Sequence, residues 1–324
     1  MSGHHGQAHA LPGSLAAADA ARVTARVARL SVATAIVLMG IKAWAWLASD
    51  SVAMLSSLAD SGLDGIASLF TLLAVTYAAQ PPDAEHRHGH GKAEAFAAMM
   101  QALLVGVSAT LVALEAIDRF RNPQPIAESG LALGVMVVSI LLTLALITAQ
   151  TLAVRQTGSV ATHGDRAHYA ADLAANFAVI VGIGAASLFG LRWADPAVGL
   201  GVALWLAWSA LDVARGGFDQ LLDRELPDEA RDRIRELAVS AGGILAIHGL
   251  RTRAAGPYVH VQFHAELPPH LSLIEAHEIM VAAERAIHEE FPAADILIHP
   301  DPRGEAEPHG SAMFAEADHD TAAQ

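Results

Sequence analysis

SVAMLSSLADSGLDGIASLFTLLAVTY, the segment from Ser51 to Tyr77, combines the length of a membrane span with two acidic side chains, Asp60 and Asp64. The segment is apolar and exceeds the roughly 20 residues that a helix needs to cross a bilayer. The two carboxylates lie at i and i+4, so on a helix they project from the same face. A charge at the bilayer centre costs about 2.5–3.5 kcal/mol even on insertion scales. We therefore expect a bound cation to offset these charges.

The composition indicates an integral membrane protein and excludes several other classes. Of the 324 residues, 53% are hydrophobic, and the mean hydropathy is +0.37, above what soluble domains show. The net charge of −14 argues against binding nucleic acid, which requires a basic surface. Since the chain contains no cysteine, disulfides and thiolate metal sites are excluded.

Six apolar segments of membrane-spanning length follow one another, and Pro or Gly marks most of the breaks between them. We place them at Leu30–Ser49, Ser51–Tyr77, Ala93–Ile117, Leu131–Val154, Ala167–Phe189 and Ala197–Ala214. Residues 1–26 are expected to form a disordered cytosolic arm, and residues 27–216 a transmembrane domain. The Lys and Arg residues concentrate on one side of these segments, which predicts that both termini are cytoplasmic.

The remainder of the chain has the composition of a soluble domain. A linker at 217–227 leads to a domain at 228–302, and the tail at 303–324 is expected to be disordered because it is rich in Gly, Pro and acids. The pattern predicts an αββαβ order, an α+β fold of the ferredoxin or metallochaperone type. Its elements are Asp228–Ala241, Ile244–Arg253, Tyr258–Leu267, Ser272–Phe291 and Ala294–His299.

The fifth apolar segment carries a second ligand pair, His168 and Asp172, again at i and i+4. Together with Asp60 and Asp64, these side chains could form a four-ligand site of three oxygens and one nitrogen, which Zn²⁺ accepts. The alternative is that they face solvent, and it is stronger for His168 and Asp172, which lie near the start of their segment.

Two further groups have ligand-like spacing. In the loop after the second segment these are Asp83, His86 and His90, with His88 as a spare. The soluble domain contributes His248, His264, His277, His299 and Asp301. His260 and His264 share a strand face, and Asp301 could bridge two metals. The alternatives are a solvated His-rich loop and ordinary surface histidines. No GxxxxGK[ST], HExxH or GxSxG motif is present.

From about Val27 to Pro302 the chain resembles the cation diffusion facilitator family, most closely its bacterial zinc and ferrous-iron efflux pumps. The stretches that carry the resemblance are SVAMLSSLADSGLDGIASL, QPPDAEHRHGHGKAEA, RAHYAADLAAN, LLDRELPDE, HGLRTRAAGP and IHPDP. The resemblance implies a homodimer in the cytoplasmic (inner) membrane. Each protomer would have a six-helix transmembrane domain and a cytosolic metallochaperone-like domain.

The same resemblance assigns roles to residues. The transport site would be Asp60, Asp64, His168 and Asp172, the loop site Asp83, His86 and His90, and the cytosolic binuclear site His248, His264, His277, His299 and Asp301. Lys92 and Asp223 match a charge pair that holds the protomers together. The loop departs from the family pattern, because His88 stands before Gly89 where an aromatic residue is common. His88 could therefore compete as a ligand.

The implied activity is secondary active transport rather than enzymatic catalysis. We expect Zn²⁺, Fe²⁺ or Cd²⁺ to leave the cytoplasm in exchange for protons by alternating access, with cytosolic metal binding as regulation. A passive divalent-cation channel and a non-transporting membrane metal sensor are the alternatives. A membrane metalloenzyme would need an open ligand position and a general base, and a complete four-ligand site supplies neither.

Overall fold

A computed structural model describes residues 11–49, 52–121, 130–189 and 193–304. Residues 1–10 of the predicted arm and most of the predicted tail lie outside these residues. Six long helices come first, and they match the six predicted segments in order. They are α1 Ala17–Ser49, α2 Val52–Ala78, α3 Ala93–Arg121, α4 Gly130–Thr157, α5 Val160–Phe189 and α6 Ala194–Leu221.

The helices extend beyond several of the predicted boundaries. Residues 17–26, which the sequence assigned to a disordered arm, form the first turns of α1. This stretch is rich in Ala and Arg, which are strong helix formers, and Asp19 in the first turn favours the positive helix end. At the other end, α6 continues to Leu221, so the first part of the predicted linker is also helical.

Among the described residues, five helices are long and apolar enough to cross a membrane, namely α1, α2 from Met54, α3, α4 from Gly134 and α6 from Pro196. The fifth helix, α5, packs among them against α3, α4 and α6. Large apolar side chains point outward from the bundle, with Trp44, Leu103 and Trp208 each more than 60% exposed. Polar side chains such as Gln101 and Gln150 are instead fully buried. This distribution suits a lipid environment, where exposed polar groups are costly.

The C-terminal domain has the predicted αββαβ order. Its elements are α7 Asp228–Ser240, β1 Ala246–Ala255, β2 Tyr258–Leu267, α8 Leu273–Glu290 and β3 Ala294–Pro302. Strand β2 lies in the centre of the sheet, antiparallel to β1 and parallel to β3. The helices cover one face through Ile234, Ile287 and Phe291, which pack with Phe263 of the sheet. Burying each such side chain contributes about 1.5–3 kcal/mol.

The loop between α2 and α3 lies against the turn between β1 and β2. At Gly91 the backbones approach so closely that a Cβ atom would lie 1.9 Å from the carbonyl oxygen of Ala255. Gly256, on the other side of this contact, has a φ of 56°, which glycine adopts without strain. These two glycines therefore allow the loop and the C-terminal domain to touch.

Candidate metal centres

The ligands predicted on α2 and α5 face each other inside the helix bundle. His168 Nε2 lies 3.0 Å from Asp64 Oδ1 and 3.9 Å from Asp172 Oδ2. One ligand atom from each of the three residues lies within 4.8 Å of the others. Two ligand atoms on a tetrahedral Zn²⁺ lie about 3.3 Å apart, given bonds near 2.0–2.1 Å. The three side chains could therefore close around a dication with small rotations.

Asp60 lies one helical turn from Asp64 but outside this group of three. Its side chain is exposed. All four predicted ligands nevertheless line the same cavity of about 470 Å³ between α2, α3 and α5. The structure thus brings three of the four together and leaves the fourth at the edge of their cavity.

The loop group is also assembled. His90 Nε2 lies 3.3 Å from Asp83 Oδ2, and His86 Nδ1 lies 3.4 Å from Asp83 Oδ1. The backbone N–H groups of His86 and Glu85 donate to the Asp83 carboxylate. These hydrogen bonds, with that from His86 the largest cause, lower the pKa of Asp83. The carboxylate is therefore ionised and oriented towards the two imidazoles, one of which packs on the Tyr77 ring.

Strand register assembles the group in the C-terminal domain. His248, His264 and His299 occupy aligned positions on β1, β2 and β3. Asp301 is 4% exposed, and its carboxylate lies 3.1, 3.0 and 3.4 Å from the nitrogens of these three histidines respectively. Burial alone would raise the pKa of Asp301, but the imidazoles outweigh it and lower that pKa. His277 lies exposed on α8, outside this set.

The predicted charge pair forms within one chain. Lys92 Nζ at the start of α3 lies 2.9 Å from Asp223 Oδ1, just after α6. Arg253 on β1 donates to the other oxygen of Asp223 at 3.2 Å. The carboxylate therefore links the transmembrane bundle to the C-terminal sheet, and its role between two protomers stays a prediction.

Sequence reasoning missed a buried carboxylate below the membrane site. Asp165 is 1% exposed and accepts hydrogen bonds from Ser31 at 2.6 Å and Gln150 at 2.8 Å. Ser68 and Gln101 donate to its other oxygen, each at 3.3 Å. Residues from five helices, α1 to α5, thus meet at one side chain. The sequence does place this acid three residues before His168. It was missed because the predicted membrane segment began only at Ala167, after Asp165.

A cation also lies near the membrane site. Lys42 of α1 donates to the Ser61 hydroxyl at 2.6 Å and to the Ser57 carbonyl at 3.2 Å. Both partners lie on α2, on either side of Asp60 in sequence. The Lys42 side chain is therefore held beside the stretch of α2 that carries Asp60.

The fold and these groups define a multi-pass membrane protein with clustered metal-ligating side chains in its helix bundle, its loop and its C-terminal domain. A family model described as the cation efflux transmembrane domain matches residues 28–222. A second, described as the cation efflux protein cytoplasmic domain, matches residues 226–303. The chain therefore belongs to the cation efflux family, also called the cation diffusion facilitator family, whose members are transporters. This confirms the resemblance and the predicted two-domain fold.

Named relatives agree with the family assignment. The cation-efflux pump FieF of Salmonella arizonae is 38% identical over 281 residues, which cover 87% of this chain and 93% of that protein. FieF of Salmonella newport matches with the same identity and coverage. Among solved structures, a chain of CzrB in its zinc form is 36% identical, covers 26% of this chain and 98% of that chain, and has a TM-score of 0.25.

Proposed function

We propose that this cation efflux transporter exports divalent cations of the Zn²⁺, Fe²⁺ and Cd²⁺ class from the cytoplasm in exchange for protons. The observation that carries the proposal is the convergence of Asp64, His168 and Asp172 within 4.8 Å inside a helix bundle. Charged groups at this depth are expensive, and they mark ion pathways. Asp60 would complete the coordination from the edge of the same cavity.

Competition between protons and metal supplies the coupling. Metal ligands must be deprotonated, so metal binding releases protons and proton binding expels metal. An imidazole exchanges its proton near neutral pH, which makes His168 the residue best suited to couple the two. Protons entering from outside would then drive the bound dication outward.

Movement of the site between the two membrane faces follows the usual logic of transporters with a site inside the membrane. In this proposal the two helices that carry the ligands, α2 and α5, tilt relative to the rest of the bundle. We propose a homodimer with both termini in the cytoplasm. Metal held by His248, His264, His299 and Asp301 would bias the equilibrium between the two orientations through differential binding. His277, which is exposed on α8, would join this cluster only after a rearrangement or from a second protomer.

The test is transport by the purified protein in proteoliposomes that contain a Zn²⁺ indicator and a pH-sensitive dye. We expect Zn²⁺ and protons to move in opposite directions. Asp64→Ala should abolish both movements, while Glu229→Gln, an exposed acid on α7, should leave them unchanged. Undiminished flux in Asp64→Ala would refute the site.

The same assay separates the alternatives. Zn²⁺ flux with conductance and without counter-movement of protons would indicate a passive channel. Metal binding without flux would indicate a sensor. Because affinities follow the Irving–Williams order whatever the physiological ion, comparing the fluxes of Zn²⁺, Fe²⁺, Cd²⁺ and Mn²⁺ identifies the substrate better than affinities do.

A further inference from the structure

A fourth group of ligand-type side chains lies between the transmembrane loop and the C-terminal domain. It consists of His88, His260 and Asp295, whose ligand atoms all lie within 4.8 Å of one another. His260 Nδ1 lies 3.1 Å from Asp295 Oδ2. The His88 and His260 rings meet edge to face, with 5.4 Å between their centroids. None of the three is among the side chains that the structure brings together in the other three groups.

The buried member of this group has an unused ligand atom. His260 is only 5% exposed, and its Nε2 is buried without a hydrogen-bond partner among the described residues. Buried polar atoms are nearly always paired, so an orphan of this kind requires an explanation. His88 and Asp295 are both exposed and approach the buried ring from the solvent side. A metal could therefore enter without disturbing the core.

The backbone positions the three residues independently of their side chains. His260 and Asp295 are aligned partners on β2 and β3, so both point to the same side of the sheet. His88 lies on the α2–α3 loop, which contacts the end of β1 at Gly91. The contact is so close that a Cβ atom at Gly91 would overlap the Ala255 carbonyl oxygen. The group thus contains ligands from both domains.

We infer that His88, His260 and Asp295 form a binding site for a divalent cation of the Zn²⁺ class, which fastens the α2–α3 loop to the C-terminal domain. Two imidazoles and one carboxylate form a ligand set that Zn²⁺ accepts, with water in the fourth position. The inferred site does not depend on the proposed exchange of metal for protons. Its occupancy would restrain the movement of the two domains against each other.

One neighbouring cation has to be accounted for. Arg253 on β1 is the aligned partner of His260, and a positive charge there opposes metal binding. Its guanidinium, however, donates to Asp223 at 3.2 Å, so its charge is directed to a carboxylate outside the group. Asp295 then remains available to the bound ion.

Zn²⁺ stoichiometry of the full-length protein in detergent micelles tests the inference. After equilibrium dialysis against Zn²⁺, the bound metal is counted by elemental analysis. The parent is Asp83→Asn, which removes the loop site. Adding His88→Gln or Asp295→Asn should each lower the count by one Zn²⁺ per chain. The matched control is His270→Gln, an exposed histidine in the turn before α8, which should leave the count unchanged.

An unchanged count when His88→Gln is added to Asp83→Asn would overturn the inference. A second readout is hydrogen exchange of residues 83–92. In the Asp83→Asn parent, Zn²⁺ should slow this exchange with or without His270→Gln, but not after Asp295→Asn is added. Equal slowing in Asp295→Asn would also overturn the inference. Melting in zinc-free buffer verifies that each variant is folded.

Discussion

His168 Nε2 lies 3.0 Å from Asp64 Oδ1 although the two residues are 104 positions apart, so this contact joins α5 to α2 across the bundle. The same nitrogen lies 3.9 Å from Asp172 Oδ2 on its own helix. One imidazole thus lies between two carboxylates inside the helix bundle. A proton and a dication must compete for that nitrogen, because the lone pair can bind only one of them.

Removing either member of this contact should weaken metal binding. We expect His168→Gln and Asp64→Asn each to lower the Zn²⁺ affinity of the membrane site by at least about tenfold, since changes beyond the ligand shell already cost about 10–100-fold. Zn²⁺ titration of protein that also carries Asp83→Asn, Asp295→Asn and Asp301→Asn, which remove the other candidate sites, measures this affinity. Thr148→Val on the exposed face of α4 is the control. Wild-type affinity in both ligand variants would contradict the assignment.

Asp60 allows a sharper test, since it lies outside the group of three but in the same cavity. If it rotates inward to become the fourth ligand, Asp60→Asn should reduce Zn²⁺ flux about as strongly as Asp64→Asn does. Flux in proteoliposomes under an imposed proton gradient compares the two variants directly. Flux near that of the wild type in Asp60→Asn alone would show that three protein ligands are sufficient.

Much of this architecture could be predicted because it is encoded locally. Acids at i and i+4 within an apolar run predicted that Asp60 and Asp64 share one face of α2, and both line the same cavity. Turn residues and strand periodicity predicted the order of the C-terminal elements. Helix ends were less predictable. Residues 17–26 carry arginines that suggested a solvated arm, yet their helix propensity and continuity with α1 make them helical.

Contacts between distant segments could not be predicted from spacing. His88 meets His260 only because a loop of the transmembrane domain docks on a sheet of the C-terminal domain. The hydrogen-bond partners of Asp165 come from four other helices. The residues next to Asp165 in sequence do not indicate which helices these are. Periodicity places a side chain on a face, but it does not say which face of another element lies opposite.

Docking of the loop requires a residue without a Cβ atom at position 91, which is Gly91. Gly91→Ala places a Cβ 1.9 Å from the Ala255 carbonyl oxygen, so the loop must move, and overpacking of this kind costs about 1–3 kcal/mol. We expect a lower melting temperature and faster hydrogen exchange at residues 83–92. Gly134→Ala is the control, because its Cβ would meet no atom within 4 Å. Alanine is favoured there by about 0.5–1 kcal/mol. Equal melting temperatures in the two variants would refute the docking contact.

The Asp223 carboxylate predicts a pH dependence of stability. Partial burial alone would raise its pKa, but Lys92 and Arg253 outweigh burial and lower it. The unfolded chain then binds a proton more readily, so the stabilisation is present above the ordinary pKa of about 3.9. It is lost as the pH falls through the lower, folded-state value. The melting temperature of Asp223→Asn should therefore be lower than that of the wild type at pH 6, and the difference between the two melting temperatures should shrink towards pH 3.

The difference at pH 6 should be modest, because exposed pairs contribute about 0.2–1 kcal/mol. Asparagine is the appropriate replacement, since Asp223 has a φ of 56° and Asn tolerates this conformation. A melting difference that stays constant down to pH 3 would show that the effect comes from the backbone rather than from the charge.

The buried Asp165 network should dominate the stability of the bundle. Asp165→Leu removes the shared acceptor of Ser31, Ser68, Gln101 and Gln150, and each buried donor left unsatisfied costs about 1–3 kcal/mol. Asp165→Asn keeps the shape and one acceptor oxygen, so its melting temperature should lie between those of the wild type and Asp165→Leu. Thermal melting in detergent measures this order.

Because the network lies below the ligands rather than among them, folded Asp165→Asn should still bind Zn²⁺ at the membrane site. A melting temperature of Asp165→Leu equal to that of the wild type would mean that the donors find other partners and that the network does not stabilise the bundle.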